Sequence, residues 1–385
     1  MVQLTEIWGY ERDDGKVGVR NHVVIIPVDD LSNAAAVAVS QVVRGTVAVP
    51  HPYGRLQFGR DLDLYFDTLI GLGKNPNVAA AIVIGIEPKW TQRVADEIAS
   101  SKPTEAFWIE KSGDLRTVEK ASRKAKEFVQ YASELTRKKH DISELTLSIK
   151  CGESDTTSGL AANPALGIVV DRLIDEGATV LFGETSELTG AEDLVSSRFL
   201  DDDNRKKFLK IFNEYSNIIK SEGVDLLGSQ PTEGNIAGGL STIEEKALGN
   251  VQKLGTKPIV EALDYLDRPT KKGLIFLNTS SAAAEALTLF NAKGSILHFF
   301  TTGQGNVVGH PTMPVIKISG NTKTVQEMSE HIDVDVSGLL HREITLEKAA
   351  DTIYDAMIKT LNGRLTAAEV LGHVEFSPVK LYVSA

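Results

Sequence analysis

The chain has 385 residues, of which 42% are hydrophobic and 24% charged, and its formal net charge at pH 7 is −11. This composition is typical of a soluble globular protein, and the length predicts two or three domains. The excess of acidic residues argues against a nucleic-acid partner, because binding to a phosphate backbone requires a basic surface.

Three further features bear on localisation. The longest apolar runs, such as 77–86, are too short to span a membrane. The N-terminus has neither a basic start nor an apolar core, so we expect no signal peptide. A single cysteine cannot form an internal disulfide. These features predict a cytoplasmic protein without a membrane segment.

Apolar strands alternate with helical patterns through the first 140 residues. The run 22–28 predicts a buried strand and is followed by a helical pattern at 31–43. Further strands are predicted at 46–49, 80–86 and 105–110, each followed by a loop or a helix. This alternation predicts βαβ units around a buried parallel sheet.

A second series of strands and helices begins after the polar stretch near residue 140. Strands are predicted at 145–150, 178–184, 273–278, 295–300 and 314–319, with a helix at 163–177, a glycine-rich segment at 228–250 and a helical C-terminal region. We therefore predict an α/β protein of two domains with mainly parallel sheets, an N-terminal domain at 1–140 and a C-terminal domain at 141–385.

Polar loops follow several of these strands, and ligands of open α/β sheets bind at the carboxyl ends of the strands. The loop "CGESDTTSG" contains Cys151, Glu153 and Asp155. A thiolate and carboxylates can bind a divalent transition metal, and His51 or His310 in other loops could complete such a site. The alternative is that Cys151 is a small buried residue, as most free cysteines are.

The loop "GETSELTG" adds Glu184 and Glu187, which could act as metal ligand and general base. Alternatively, Glu184 caps a helix or pairs with an arginine. The nucleotide-binding loop GxxxxGK[ST] and the dinucleotide fingerprint are both absent from the sequence.

Several long motifs, in this order, resemble the altronate/galactarate dehydratase family. They are "GYERDDGKVGVRNHVVIIP", "KCGESDTTSGLAANPALG", "GNIAGGLSTIEEKALGNVQK", "FTTGQGNVVGHPTMPVIKISGNT" and "HIDVDVSG". The resemblance covers nearly the whole chain. It implies a metal-assisted lyase and a C-terminal domain that is a Rossmann-like variant with a crossover loop at the active site. An N-terminal domain that contributes to dimerisation and a homo-oligomer are also expected.

The resemblance implies elimination from a 2-hydroxy acid to give a 2-oxo acid. We expect a divalent metal, with Fe²⁺ favoured over Mn²⁺ or Mg²⁺. Motif positions suggest His51, Cys151 and Glu184 as metal ligands, Glu153, Asp155 and Glu184 as catalytic groups, and Arg55, Asn235, Thr302 and Asn321 as substrate-binding residues.

Two positions depart from the family pattern. Family dehydratases carry a second cysteine in a "GCG" loop where this chain has "HPYGRLQFG", and they read "CGGSD" where it has Glu153. Arg55 in the first loop suggests recognition of a second anionic group. The main prediction is a dehydratase for altronate or galactarate. The alternatives are the β subunit of (2R)-sulfolactate sulfo-lyase, which belongs to the same family, and a non-catalytic protein that binds sugar acids.

The resemblance also implies a partner. Family members carry a small β-rich (SAF-like) domain ahead of this region, whereas the motifs of this chain begin at Ile7. We therefore expect a separate small subunit.

Overall fold

The structure is a computed structural model that describes residues 6–223 and 230–385. The start of the glycine-rich segment, at residues 228–229, lies outside the described residues. Among the described residues, no helix has the length and apolar character needed to cross a membrane.

The strands, in chain order, are β1 (Ile7–Glu11), β2 (Val17–Gly18), β3 (His22–Pro27), β4 (Thr46–Ala48), β5 (Val78–Gly85), β6 (Thr104–Trp108), β7 (Lys138–His140), β8 (Thr146–Gly152), β9 (Thr179–Phe182), β10 (Ile259–Leu263), β11 (Leu274–Leu277), β12 (His298–Thr302), β13 (Val315–Ser319) and β14 (Val334–Asp335). The helices are α1 (Asn33–Val42), α2 (Gly59–Lys74), α3 (Pro88–Ala99), α4 (Asp114–Glu134), α5 (Asn163–Asp175), α6 (Glu192–Ser196), α7 (Asp202–Ser221), α8 (Glu233–Ala237), α9 (Ile243–Val251), α10 (Ala283–Ala292), α11 (Thr322–Glu327), α12 (Leu346–Leu361) and α13 (Ala367–Leu371).

The N-terminal part is built on a parallel sheet with strand order β4–β3–β5–β6. Every residue of β5 is buried, because helices cover both faces of the sheet. Helices α1 and α4 pack on one face, and α2 and α3 pack on the other. The continuous apolar runs of the sequence are therefore buried parallel strands, as predicted.

The C-terminal part is built on a parallel sheet with strand order β10–β11–β9–β8–β12–β13–β14. The chain leaves β8 towards β9 and β11 on one side and later returns to place β12 on the other side. From β11 to β14 this is the doubly wound order of the Rossmann fold, with its topological switch point at β8. The predicted two-part α/β fold with parallel sheets is confirmed, and the loop after β8 lies where such sheets bind ligands.

The two parts are in close contact through buried polar side chains. Asn77 Nδ2 donates hydrogen bonds to the carbonyl oxygens of Ile296 (2.8 Å) and Thr312 (2.9 Å). Phe376, near the C-terminus, packs into the core of the N-terminal part. The predicted boundary at residue 140 falls at the end of β7, which pairs with β1 in a small antiparallel sheet. The domain boundary itself stays a prediction.

Candidate functional site

Cys151 lies near the end of β8 at the centre of the C-terminal sheet and is only 1% exposed. Its Sγ atom is 3.9 Å from Glu184 Oε2, 3.9 Å from Glu187 Oε2 and 3.5 Å from Asn250 Oδ1. The potential ligand atoms of Cys151, Glu184 and Glu187 all lie within 4.8 Å of one another. The single cysteine is thus both buried and surrounded by charged groups.

The two glutamates reach Cys151 because the chain turns sharply after β9. Glu184 adopts a left-handed conformation with φ of 68°, and its backbone N–H donates to Thr279 Oγ1 at 2.7 Å. A short 3₁₀ turn, Thr185–Leu188, follows directly. Within it the N–H of Glu187 donates to the carbonyl oxygen of Glu184 at 2.8 Å. This local strain and turn place both carboxylates on the same side of the sheet edge.

Three buried lysines contact these acidic groups. Lys150 Nζ lies 2.9 Å from Glu184 Oε2, Lys253 Nζ lies 3.0 Å from Glu184 Oε1, and Lys246 Nζ lies 3.4 Å from Glu187 Oε1. Lys253 Nζ is also 3.5 Å from Cys151 Sγ. We call these six residues the Cys151 cluster: Lys150, Cys151, Glu184, Glu187, Lys246 and Lys253. Three ammonium groups face two carboxylates and one thiol, and all six side chains are buried.

The three buried lysines give Glu184 and Glu187 different electrostatic environments. Burial alone would raise the pKa of Glu184, but the ammonium groups of Lys150 and Lys253 outweigh it and hold that pKa at about 2. Burial and the neighbouring Glu184 carboxylate raise the pKa of Glu187. Burial and Glu184 also raise the pKa of the Cys151 thiol. Glu184 is therefore ionised at neutral pH, whereas Glu187 and Cys151 hold their protons more tightly than usual.

Cys151, Glu184 and Glu187 form a buried group that could hold a metal ion. One thiol and two carboxylates are a donor set that suits a divalent transition metal, and such a cation would replace the proton of the thiol. Positive charge is already present at these donors, because Lys253 contacts both Cys151 and Glu184. A metal ion and the Lys253 ammonium therefore compete for the same atoms.

The predicted residues Asp155, Asn235 and Asn321 support the loop after β8. Asp155 Oδ1 accepts hydrogen bonds from Thr157 Oγ1 (2.6 Å) and the N–H of Ser158 (3.1 Å). Its Oδ2 accepts one from Asn321 Nδ2 at 2.7 Å. Oδ1 of Asp155 is thus engaged within the loop, and Oδ2 is engaged by Asn321, the N-cap residue of α11.

The side chains of Asn235 and Thr302 each form a hydrogen bond with a backbone atom of a loop. Asn235 Nδ2 donates to the carbonyl oxygen of Ser154 at 2.7 Å, and its Oδ1 accepts from Lys246 Nζ at 3.2 Å. Thr302 Oγ1 accepts from the N–H of Gly305 at 3.0 Å. Asn235 therefore links the loop after β8 to the Cys151 cluster, while Thr302 stabilises the loop after β12.

The structure does not bring His51, Arg55 and Glu153 together with this cluster. His51 Nε2 lies 2.9 Å from the carbonyl oxygen of Pro27, and its Nδ1 accepts from the N–H of Tyr53 at 3.4 Å. Arg55 is exposed and lines a pocket of about 850 Å³ that none of the six cluster residues lines. The side chain of Glu153 is also exposed, and its backbone has φ of 48°. Their predicted roles stay predictions.

Sequence reasoning did not single out the three lysines. Lys246, Asn250 and Lys253 recur at spacings of four and three, which places them on one face of α9 and the turn after it, Gln252–Leu254. A lysine-containing stripe on a face that packs into the protein is unusual, because lysine is rarely buried without a partner. That periodicity, together with the Lys150–Cys151 pair in a buried strand, is the pattern that could have revealed them.

Two family models match consecutive parts of the chain. Residues 9–133 match "D-galactarate dehydratase/Altronate hydrolase, second domain", and residues 142–384 match "D-galactarate/Altronate dehydratase, C-terminal". The chain belongs to the galactarate/altronate dehydratase family. The family predicted from the motifs is thereby confirmed.

The similarity to curated relatives differs strongly between members of the family. The (2R)-sulfolactate sulfo-lyase subunit beta of Chromohalobacter salexigens is 60% identical over 380 residues, which are 98% of each chain. The altronate dehydratase of Bacillus subtilis is 28% identical over 94% of this chain and 75% of its own length. The galactarate dehydratase (L-threo-forming) of Escherichia coli is 30% identical over 77% of this chain and 59% of its own length.

All three relatives are lyases, and the prediction that this chain is a lyase is confirmed. The comparison favours the alternative prediction of a sulfo-lyase subunit over the main prediction of a sugar-acid dehydratase, because identity to the dehydratases is half as high.

Proposed function

We propose that this chain is the catalytic β subunit of a (2R)-sulfolactate sulfo-lyase. The observation that carries the proposal is 60% identity to a protein of that name over 98% of both chains. The Cys151 cluster supports it, because six ionisable side chains are concentrated at the switch point of the sheet, where ligands of this fold bind.

The proposed reaction is an elimination. A base removes the proton from C2, the C3–S bond breaks, and its electron pair leaves with sulfite. The resulting enol of pyruvate takes up a proton at C3, so that sulfolactate yields pyruvate and bisulfite with atoms and charge balanced. The difficult step is removal of a weakly acidic proton next to a carboxylate, and nearby positive charge lowers its barrier.

Within the cluster we assign the proton transfer to Glu187. Burial and Glu184 raise its pKa, which brings a carboxylate closer to the range where it can accept a proton and return it. Glu184 remains ionised and holds the ammonium groups of Lys150 and Lys253 in place. When bound by Cys151 and Glu184, a divalent ion, which the family resemblance implies to be Fe²⁺, would supply Lewis-acid stabilisation of the negative charge on the substrate. Glu153 and Asp155 remain the alternative acceptors.

We further propose a separate partner subunit. The relative with 60% identity over 98% of both chains is named a subunit beta, a name that implies a further kind of subunit. This supports the separate small subunit that the family resemblance implies.

The function is tested by offering the chain, alone and with its partner subunit, (2R)-sulfolactate, altronate and galactarate under anaerobic conditions with Fe²⁺. We expect sulfite and pyruvate in equal amounts from sulfolactate, increased by the partner. A 2-oxo acid formed from altronate or galactarate, with no sulfite from sulfolactate, would show that the dehydratase prediction was the correct one.

A further inference from the structure

A pocket of about 450 Å³ lies between the loop after β8 and helix α9. Two of its lining residues connect it to the Cys151 cluster, because Lys246 belongs to the cluster and Asn250 contacts it. Lys246 Nζ is 3.4 Å from Glu187 Oε1, and Asn250 Oδ1 is 3.5 Å from Cys151 Sγ. The inner wall of this pocket is therefore shared with the buried charges.

The pocket also contains an unused hydrogen-bond donor. Ser154 is only 5% exposed, and within the part of the chain that the structure describes its Oγ atom has no hydrogen-bond partner. A buried hydroxyl without a partner costs free energy, so such a group in a native protein needs an explanation. Its backbone, in contrast, is fixed, because the carbonyl oxygen accepts from Asn235 Nδ2 at 2.7 Å.

The acidic side chains that line the pocket are already engaged. Asp155 accepts hydrogen bonds from Thr157 and Ser158 within its loop and from Asn321 Nδ2 outside it. Glu245 Oε2 accepts from both the N–H and the hydroxyl of Ser241, at 2.8 and 2.6 Å. Lys246 Nζ donates to Gln230 Oε1 and Asn235 Oδ1 and pairs with Glu187 Oε1, so its three N–H groups are engaged and it contributes positive charge to the pocket wall. The hydroxyl of Ser154 is the donor left for a ligand, and a donor in a pocket with an ammonium group in its wall suits an oxyanion.

The pocket is closed at one end by a close approach of two glycines. A Cβ atom on Gly159 would lie 3.1 Å from the Cα of Gly249, so the turn before α5 and helix α9 nearly touch there. The volume is within the range of small-molecule sites. Leu160 and Leu248, 67% and 49% exposed, stand at the rim.

We propose that this pocket binds one anionic oxygen group of the substrate, a carboxylate or a sulfonate, with Ser154 Oγ as the donor and the Lys246 ammonium group as the positive charge in the wall, and leads the substrate to the Cys151 cluster. The proposal rests on the proposed function in its choice of substrate, a small 2-hydroxy acid. It goes further by assigning Ser154 to binding.

The test compares the binding of three unreactive probes by calorimetry: 3-sulfopropanoate, propanoate and ethanesulfonate. The variants are Ser154→Ala, and Ser280→Ala as a matched control in a different pocket of about 540 Å³. We expect Ser154→Ala to weaken 3-sulfopropanoate binding at least about tenfold, as is typical for a hydrogen bond to a charged group, and Ser280→Ala to leave it unchanged. Of the single-anion probes, the one whose affinity also falls in Ser154→Ala identifies the group that Ser154 binds.

Leu160→Trp is a second variant, which narrows the rim without touching the core. It should raise the KM for sulfolactate at least fivefold with an unchanged melting temperature. Equal affinity of wild type and Ser154→Ala for 3-sulfopropanoate, no measurable binding by the wild type, or loss of binding in Ser280→Ala would each overturn the proposal.

The outcome for the pocket is separable from that for the function. If the wild type releases sulfite and Ser154→Ala has an unchanged KM, the function stands and the pocket assignment falls. If Ser154-dependent binding of 3-sulfopropanoate is found without sulfite release, the pocket stands and the sulfo-lyase activity falls.

Discussion

Lys253 Nζ lies 3.5 Å from the sulfur of Cys151, so the one cysteine of the chain faces an ammonium group 102 positions further along the sequence. The same ammonium group is 3.0 Å from Glu184 Oε1. A positive charge is therefore built into the site at which the family resemblance implies a metal ion. The charges of the cluster, rather than the cysteine alone, determine what the site can bind.

The first prediction concerns competition between Lys253 and a divalent ion. Replacing Lys253 by methionine removes the ammonium group but keeps the volume, so Cys151 and Glu184 become freer to bind a cation. We expect Lys253→Met to bind Co²⁺ at least about tenfold more tightly than wild type. Binding is measured by titration with Co²⁺, using the thiolate-to-cobalt absorption band as the signal. Lys257→Met, which removes a lysine that pairs with Asp175 on the surface, is the matched control. Weaker Co²⁺ binding in Lys253→Met would show that the lysine supports the metal site.

The second prediction contrasts the two glutamates. Glu184→Gln leaves the ammonium groups of Lys150 and Lys253 buried without their anion, which should cost about 3–5 kcal/mol of unfolding free energy. Glu187→Gln should change stability little, because burial and Glu184 already disfavour its ionised form. Both variants should lose activity. The comparison is made by denaturant unfolding at pH 7, and equal stabilities of the two variants would contradict the assignment of charges.

The sequence predicted which segments form the strands better than it predicted the order of the strands in each sheet. Buried strands such as β3 and β5 were recognisable as continuous apolar runs, because a parallel sheet covered on both faces leaves no polar alternation. The edge strands β10 and β14 were not predicted. β14 is only two residues long, and β10 contains the charged residue Glu261, whose side chain accepts a hydrogen bond from the N–H of Thr270. Local patterns also could not show that β8 lies between β9 and β12, since strand order depends on contacts far apart in sequence.

The site was predictable to a similar extent. Cys151 and Glu184 could be predicted as site residues because they lie at the carboxyl ends of predicted strands. Lys246 lies on helix α9, and Lys253 lies in the turn after it. The start of α9 has an ordinary N-cap, in which Thr242 Oγ1 accepts a hydrogen bond from the N–H of Glu245. The motif that contains them was recognised as a family feature, but its inward face becomes evident only from the packing of α9 against the turn after β9.

The third prediction concerns the dependence of stability on pH. The pKa of Glu184 is lowered to about 2 in the folded protein, so its contribution is fully present above its ordinary value of 4.5 and is lost as pH falls towards 2. The stability difference between wild type and Glu184→Gln should therefore shrink between pH 4.5 and pH 3, by up to about 1.4 kcal/mol per pH unit. Unfolding free energies of both proteins between pH 7 and 3 provide the measurement. A difference that stays constant would mean that Glu184 is not held ionised by its lysines.

The fourth prediction concerns Glu153, where family dehydratases have glycine. Its φ of 48° is left-handed, a conformation that costs a non-glycine residue about 1 kcal/mol or more. Glu153→Gly should therefore raise the unfolding free energy by about 0.5–1 kcal/mol after the greater chain entropy of glycine is subtracted. Glu153→Gln keeps the strain and is the control for charge. Because the side chain is exposed, sulfite release by both variants should stay within about threefold of wild type, and a hundredfold loss in Glu153→Gln would instead identify Glu153 as the proton acceptor.

The most direct test of the central claim, that the Cys151 cluster is the catalytic centre of a sulfo-lyase, is the rate of sulfite release by Cys151→Ser measured beside its melting curve. Serine keeps the size of the side chain but supplies neither the soft ligand nor the sulfur atom that Lys253 contacts. We predict a folded variant with a melting temperature within a few degrees of wild type, less bound metal, and a rate at least about a hundredfold lower. A serine variant that releases sulfite at the wild-type rate would contradict the account, because Cys151 would then be only a packing residue.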